Sequence, residues 1–421
     1  MLCASSIRYA VNAGVVVAFA ISTIAPEFSH GLFVALGLLG IGDVLRRREG
    51  SWHLSPEIIA LVAIPLVALL TTVMAMMAGV DIPKLGWRKL EDLSWVFLLI
   101  PAWQLWRRHL DLRAVALGVA LGAAMSGLWA MWEVAGHPES YRAMGMMRKA
   151  IVFGLLSMAL ATASLGLSFC FPRRVGIQSA MIAAAVLGFL AAVLSGSRGT
   201  YFVLPLIVLL FWWLHRKDVQ NEVYAGILAG VAVIVIGAGV AAWNFTSMSE
   251  RVTTAWDEVS SYALSENTIN SAAGRTSTGL RFEMWKAASS EVLSHPLLGV
   301  GIGNIHAVLV RAADKGQINS VASHFDHVHN EYLNAAVTRG VLGFIASLMA
   351  LLVPALMFRK FLQVHQCVAV TGLGVVLLFA FSGLSDSVFY FKKDFILYAT
   401  LIMVLSAVMW QKSDKDVDFI R

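Results

Sequence analysis

The sequence predicts an all-α polytopic membrane protein, on three observations. Of its 421 residues, 58% are apolar and only 14% charged, against about a quarter charged in soluble domains. Apolar runs of about 18 to 22 residues recur, long enough to cross a hydrocarbon layer about 30 Å thick. The runs are rich in Gly and Ala and lack period-2 alternation, which favours a helical bundle over a barrel.

In chain order, about twelve spans are expected, near 9–24, 31–45, 57–79, 93–106, 113–134, 150–171, 176–194, 200–214, 224–243, 336–358, 366–384 and 394–411. Arg8 precedes the first, and no small-residue cleavage site follows it, so that span is expected to be retained. The chain then divides into membrane helices over 1–243, one large extramembrane loop over 244–335, and membrane helices with a short tail over 336–421.

Cations in short loops set the expected orientation. One side collects Arg46, Arg47, Arg107, Arg108, Arg173, Arg174, Arg359 and Lys360, more than the other. Both termini are therefore expected in the cytoplasm and the loop 244–335 outside. The three cysteines, Cys3, Cys170 and Cys367, then fall on the cytoplasmic side without metal-type spacing, and no disulfide is expected. The poorer side still clusters cations against the topological rule, in Lys84 to Lys89, Arg142, Arg148, Lys149 and Arg198, joined by Arg275 and Arg281 in the long loop. Solvated loop charge explains any one of them; the set points to an anionic ligand, with Arg88, Lys149 and Arg275 as additional contacts.

Three motifs lie within or beside the loop. Ser195-Gly196-Ser197-Arg198-Gly199-Thr200 reads as a tight turn that lets an anion approach the backbone, with Thr200 as a cap for the next helix. The run from Thr278 to Trp285 reads as an amphipathic helix capped by Ser277 or Thr278. Arg281 would then sit in the first turn, where a cation is unfavourable unless an anion is bound. Leu297 to Gly303 is a Gly-rich turn that follows no strand, which excludes a dinucleotide site.

His324-Phe325-Asp326-His327-Val328-His329-Asn330 is the richest cluster. With Asp326 as cap, His329 falls in a first helical turn, held by a stripe running through Leu333, Ala336, Gly340 and Gly343 whose glycines admit a neighbouring helix. That suits a general base. A metal site competes, but His327 and His329 would point to different faces of one helix and no second ligand cluster completes it. The expectation is no metal and no cofactor.

Together, Ser197-Arg198-Gly199, Leu280 to Trp285, His295 to Gly301, and His329-Asn330 followed by Gly340-x-x-Gly343 resemble the O-antigen ligase family, within a superfamily shared with O-antigen polymerases and protein O-oligosaccharyltransferases. The resemblance implies a GT-C-like, metal-independent glycosyltransferase of the Gram-negative inner membrane with one large periplasmic loop. Its substrates would be undecaprenyl-diphosphate-linked O-antigen and lipid A–core oligosaccharide, with membrane lipids around it and no nucleic acid. Carried over, Arg198 and Arg281 bind the donor diphosphate and His329 is catalytic; the charge argument adds Arg142 and Arg148, and Asn330 adjoins the histidine. A single large loop and a short tail favour the ligase over the polymerase and the oligosaccharyltransferase. A lipid-linked-glycan transporter is the competing class; the spans show neither paired broken helices nor an acidic relay.

Overall fold

The computed structural model describes residues 4–47, 54–137, 142–215 and 273–417. The span expected at 224–243 and the loop up to residue 272 lie outside the described residues. Within them every regular element is helical. The chain runs through α1 (Ala4–Ala20), α2 (Pro26–Arg47), α3 (Pro56–Met77), α4 (Lys84–Ser94), α5 (Leu99–His109), α6 (Leu112–Ala135), α7 (Ala150–Ser168), α8 (Val175–Leu194), α9 (Arg198–Tyr201) and α10 (Leu204–His215). After the gap come α11 (Ser277–Ser294), α12 (Ile305–Asp314), α13 (Glu331–Lys360), α14 (Gln366–Ser382) and α15 (Lys392–Val417).

Seven of these helices are long and apolar enough to cross a membrane, namely α2, α3, α6, α7, α8, α13 and α15, and shorter apolar helices lie in α1, α10 and α14. The chain is thus a multi-pass membrane protein by helix length and composition. The span expected at 93–106 is not one helix. Amphipathic α4 gives way to a 3₁₀ turn, Trp95–Leu98, before α5. Pro101 has no N–H for the turn before it, which weakens the helix there.

Helix α7 is the centre of the bundle, 94% buried over its apolar window and packed by α6, α8 and α14. Small residues let the axes close: a Cβ on Gly127 of α6 would strike the Leu187 carbonyl of α8. Outward faces stay apolar, as with Leu66, Leu69 and Val73 of α3 and Leu348, Leu352 and Leu356 of α13, the side chains lipid would cover.

Helix α13 is broken at Gly340, whose φ of 66° and ψ of −161° are non-helical. The break exposes carbonyls that the preceding loop uses. Val300 donates its N–H to the Val337 carbonyl (2.8 Å), Gly301 donates to Thr338 (3.1 Å), and Val341 donates to the Pro296 carbonyl (2.9 Å). A Cβ on Gly340 would collide with the Leu297 carbonyl, and one on Gly343 with the Arg339 side chain. This corrects the expected helix-packing stripe. Its glycines do not present a face to another helix; Gly340 admits the His-Pro-Leu-Leu-Gly loop to the backbone.

The cysteine expectation is also corrected. Cys170, just past α7, and Cys367, at the start of α14, form a disulfide with their Cα atoms 5.6 Å apart. Their sequence separation of 197 residues hid the pairing, which depends on α7 packing against α14.

Candidate active site

The site is assembled where the start of α13 meets the α14–α15 turn. Asn330, not Asp326, caps α13: its side-chain oxygen accepts the Leu333 N–H (3.0 Å) and its Nδ2 donates to the Leu384 carbonyl (3.1 Å). The Glu331 N–H donates to the Gly383 carbonyl (2.8 Å), so helix and turn are stitched together. His329 therefore lies outside the helix, not in its first turn. It is one of two non-glycine residues with positive φ among the described residues, at 51°; Arg148, at 56°, is the other. For a non-glycine residue this conformation costs about 1–3 kcal/mol and persists only where its surroundings impose it.

The side chain so placed meets a carboxylate. His329 Nδ1 lies 3.1 Å from Asp386 Oδ1, and Asp386 is 4% exposed. With Nδ1–H donating to Asp386, Nε2 keeps its lone pair, the tautomer a proton acceptor needs. Burial opposes the charge on Asp386, but the hydrogen bond from His329, the nearby His327 and the Ser387 N–H together hold its carboxyl below the usual carboxylate range. Phe325 sets its ring edge against His329, centroids 5.5 Å apart.

A second pair backs the first. His327 Nδ1 lies 2.7 Å from Asp326 Oδ1, a bond that holds Asp326 well below the usual carboxylate range. Burial pushes His327 down, only partly offset by that bond. Its ring stacks on Tyr390 at 4.9 Å, and Lys89 Nζ lies over the Tyr390 ring, 3.6 Å from its centroid. His327 and His329 sit with ring centroids 4.2 Å apart. His327 and His329 do not diverge from one helix as expected: neither lies in a helix, and Asp386 adds a third possible ligand. Their ligand atoms fall within 4.8 Å of one another, so this trio could hold a cation.

These groups predict acid sensitivity. His327, whose folded value is depressed, begins to lose stability for the site as pH falls below 6.5, its unfolded value. Asp326 and Asp386 add losses below their unfolded value of 3.8. All three bind more protons unfolded, so stability falls with acidification. Melting temperature is expected to drop from pH 6.5 downward, and His327→Gln to flatten the upper part of that drop; an unchanged profile would refute this account of His327.

Two cavities meet at the dyad. The larger, about 710 Å³, is lined by His324, Phe325, Asp326, His327, His329, Phe391, Arg142, Arg148 and Lys149. The smaller, about 290 Å³, is lined by Ser197, Thr200, Ser277, Thr278, Ser385 and Arg281. Arg142, Ile151 and Asp386 border both. Arg142 donates through Nε to the Ser195 carbonyl (2.8 Å) and through Nη2 to Gly196 (3.3 Å), which fixes the Ser195–Thr200 turn against the site. That turn approaches closely because Gly199 has no side chain to strike Ser385. Thr200 lies within α9 and is buried, so it does not cap the next helix as expected. Arg198 opens α9.

Helix α11 is capped by Thr276, which accepts the Gly279 N–H (3.0 Å), rather than by Ser277 or Thr278. The shift puts Arg281 in the second turn, still facing the smaller cavity. Trp285 of α11 donates to the Val328 carbonyl (2.8 Å), which ties this helix to the histidine loop. Arg88 and Arg275 are exposed and line neither cavity. Lys149 sits with Nζ 4.2 Å over the Phe391 ring. Asn330 is structural, as the cap. The sequence reading left Asp386 unassigned and missed the roles of Asp326, Tyr390 and Lys89; a lone aspartate in the short Ser385-Asp386-Ser387 turn between two spans was the available signal.

The carboxylate–histidine pair thus lies between an arginine-lined and a cation-rich cavity of a multi-pass helical protein. Residues 183–348 match the family model described as O-antigen ligase. The matched segment takes in Arg198, Arg281, His329 and Gly340 and stops short of Asp386. An uncharacterised protein of Haemophilus influenzae is 26% identical over 310 residues, covering 70% of this chain and 73% of the relative. The family is one of glycosyltransferase-like enzymes that process O-antigen in lipopolysaccharide biosynthesis.

Proposed function

We propose that this protein is an O-antigen ligase that moves a glycan from undecaprenyl diphosphate to a sugar hydroxyl of lipid A–core oligosaccharide. It would work at the periplasmic face of the inner membrane, with both termini in the cytoplasm. The observation that carries this reading is the His329–Asp386 pair, 3.1 Å apart, at the border of a cavity containing Arg281. His329 Nε2 takes the proton from the acceptor hydroxyl as its oxygen bonds to the anomeric carbon. The bond from that carbon to the diphosphate oxygen breaks, and the electron pair leaves with the diphosphate. Asp386 holds the imidazole in the accepting tautomer and stabilises the imidazolium that forms. Arg281 and Arg198, with Arg142 at the shared wall, would stabilise the charge growing on the departing diphosphate. A single displacement inverts the anomeric centre.

The test is transfer by purified protein between an undecaprenyl-diphosphate glycan and lipid A–core. Core-linked glycan supports the ligase; elongation of the lipid-linked donor instead would identify a polymerase. Asp386→Asn is expected to lower the transfer rate about 10²-fold or more by releasing the tautomer, and transfer at the wild-type rate would remove Asp386 from the mechanism. Transfer is expected to survive a chelator, because Asp386 already serves His329 as hydrogen-bond acceptor. Loss on chelation with recovery on adding Mg²⁺ or Zn²⁺ would instead assign His327, His329 and Asp386 to a metal.

A further inference from the structure

We infer that the larger cavity is the acceptor subsite and that Arg148 and Lys149 recognise an anionic substituent on the acceptor sugar. The inference deepens the ligase reading and rests on it, and it moves Arg148 away from the donor diphosphate, where charge alone had placed it.

The first step is geometric. His329 lines the larger cavity and is absent from the lining of the smaller one, whereas Asp386 borders both. A base must touch the nucleophile it deprotonates, so the attacking hydroxyl belongs on the His329 side. In an inverting displacement the leaving group departs from the opposite face of the carbon. The diphosphate therefore belongs on the far side of the dyad, where the smaller cavity offers Arg281 and the hydroxyls of Ser197, Thr200 and Thr278. The volumes agree: about 290 Å³ suits a diphosphate, and about 710 Å³ suits sugar residues.

The second step is electrostatic. On this division the acceptor side still carries two adjacent, exposed cations, Arg148 and Lys149. The dyad accounts for neither. Arg148 is the only non-glycine residue besides His329 with positive φ among the described residues, and it sits between the buried Met147 and Lys149, the N-cap residue of α7. The left-handed backbone is a cost that the larger cavity explains, since Arg148 is part of its wall. Lys149 stays over the Phe391 ring, which holds its ammonium at the cavity; Asp326 in the same wall feels that charge, but its side-chain hydrogen bond goes to His327. A guanidinium beside an ammonium, over an aromatic floor, fits a sugar carrying a phosphate or carboxylate better than a neutral saccharide.

The experiment has two arms. In the first, apparent KM values for donor and acceptor are measured with wild type, Arg148→Gln/Lys149→Gln and Arg281→Gln. The double variant should raise acceptor KM about tenfold and leave donor KM unchanged, and Arg281→Gln should do the reverse. A raised donor KM in the double variant, or no change in either, overturns the assignment. Removing the acceptor's phosphates should weaken wild type and leave the double variant unaffected; if the wild type is insensitive but a carboxyl-reduced acceptor is weakened, the carboxylate is the recognised group. In the second arm, binding of the isolated phosphorylated core saccharide is measured without donor. Binding lost in the double variant while wild type transfers no glycan would keep the anionic-sugar subsite and refute the ligase reading. Equal binding by wild type and the double variant, with normal transfer, would refute the subsite alone. Monodispersity and melting temperature of each variant report folding, and Arg148→Lys, which keeps the charge, should recover part of the acceptor KM.

Discussion

Replacing His329 by alanine is expected to lower glycan transfer by about 10² to 10⁴-fold, the usual contribution of a positioned general base. The size of the effect follows from how the ring is held. Asp386 fixes one nitrogen at 3.1 Å, Phe325 packs its edge against the ring, and the backbone holds a positive φ of 51° just before the cap of α13. Alanine removes the acceptor and also relaxes a backbone that left-handed geometry constrains. His329→Asn separates the two effects. Asparagine tolerates positive φ far better than most residues and can still donate to Asp386, yet it accepts no proton at neutral pH. Both variants should therefore be comparably inactive while His329→Asn melts closer to wild type. Substantial transfer by His329→Asn would show that the histidine orients substrate instead of accepting a proton.

Gly340→Ala is the second large expectation, and it concerns folding rather than chemistry. At φ 66° and ψ −161° the backbone lies in a region that is essentially glycine-only, which costs about 1–3 kcal/mol for any other residue. The new Cβ would also press on the Leu297 carbonyl and separate the loop from α13. Three hydrogen bonds join them, each contributing about 0.5–1.5 kcal/mol. A total of about 2.5–7.5 kcal/mol is a large part of the typical stability of a domain, about 5–15 kcal/mol. Folded, monodisperse yield should fall sharply, and protease should cut the 295–303 loop faster. Gly31→Ala, where nothing lies within 4 Å of the added methyl, is the matched control. A Gly340→Ala variant that melts with the control would mean the break in α13 is tolerant of side chains.

Much of this was readable from the chain, and the failures share a cause. Apolar run length located most helices because it is a local property. His329, Arg281 and the Ser195–Thr200 turn stood out because polar groups beside membrane spans need a reason to be there. Helix caps were ambiguous: Asp326 and Asn330 are both good caps, and the choice went to Asn330 because its amide also reaches the Leu384 carbonyl, a contact from a distant turn. The stripe through Gly340 failed because periodicity assumes an unbroken helix, and glycine is the residue that permits a break. Asp386 lies 57 residues from His329, and only the return of α14 brings it back. The Cys170–Cys367 pair was hidden in the same way, by a contact between α7 and α14.

The break in α13 has a consequence for how the molecule is made. A spanning helix ordinarily closes its own backbone hydrogen bonds and can settle into lipid without help. The first turns of α13 cannot, because the Val337 and Thr338 carbonyls are satisfied by Val300 and Gly301, residues synthesised earlier. The backbone of α13 is therefore fully paired only once the segment before it has folded back onto the helix. Closing the backbone of this helix and setting His329 beside Asp386 are thereby coupled, because the same loop supplies both.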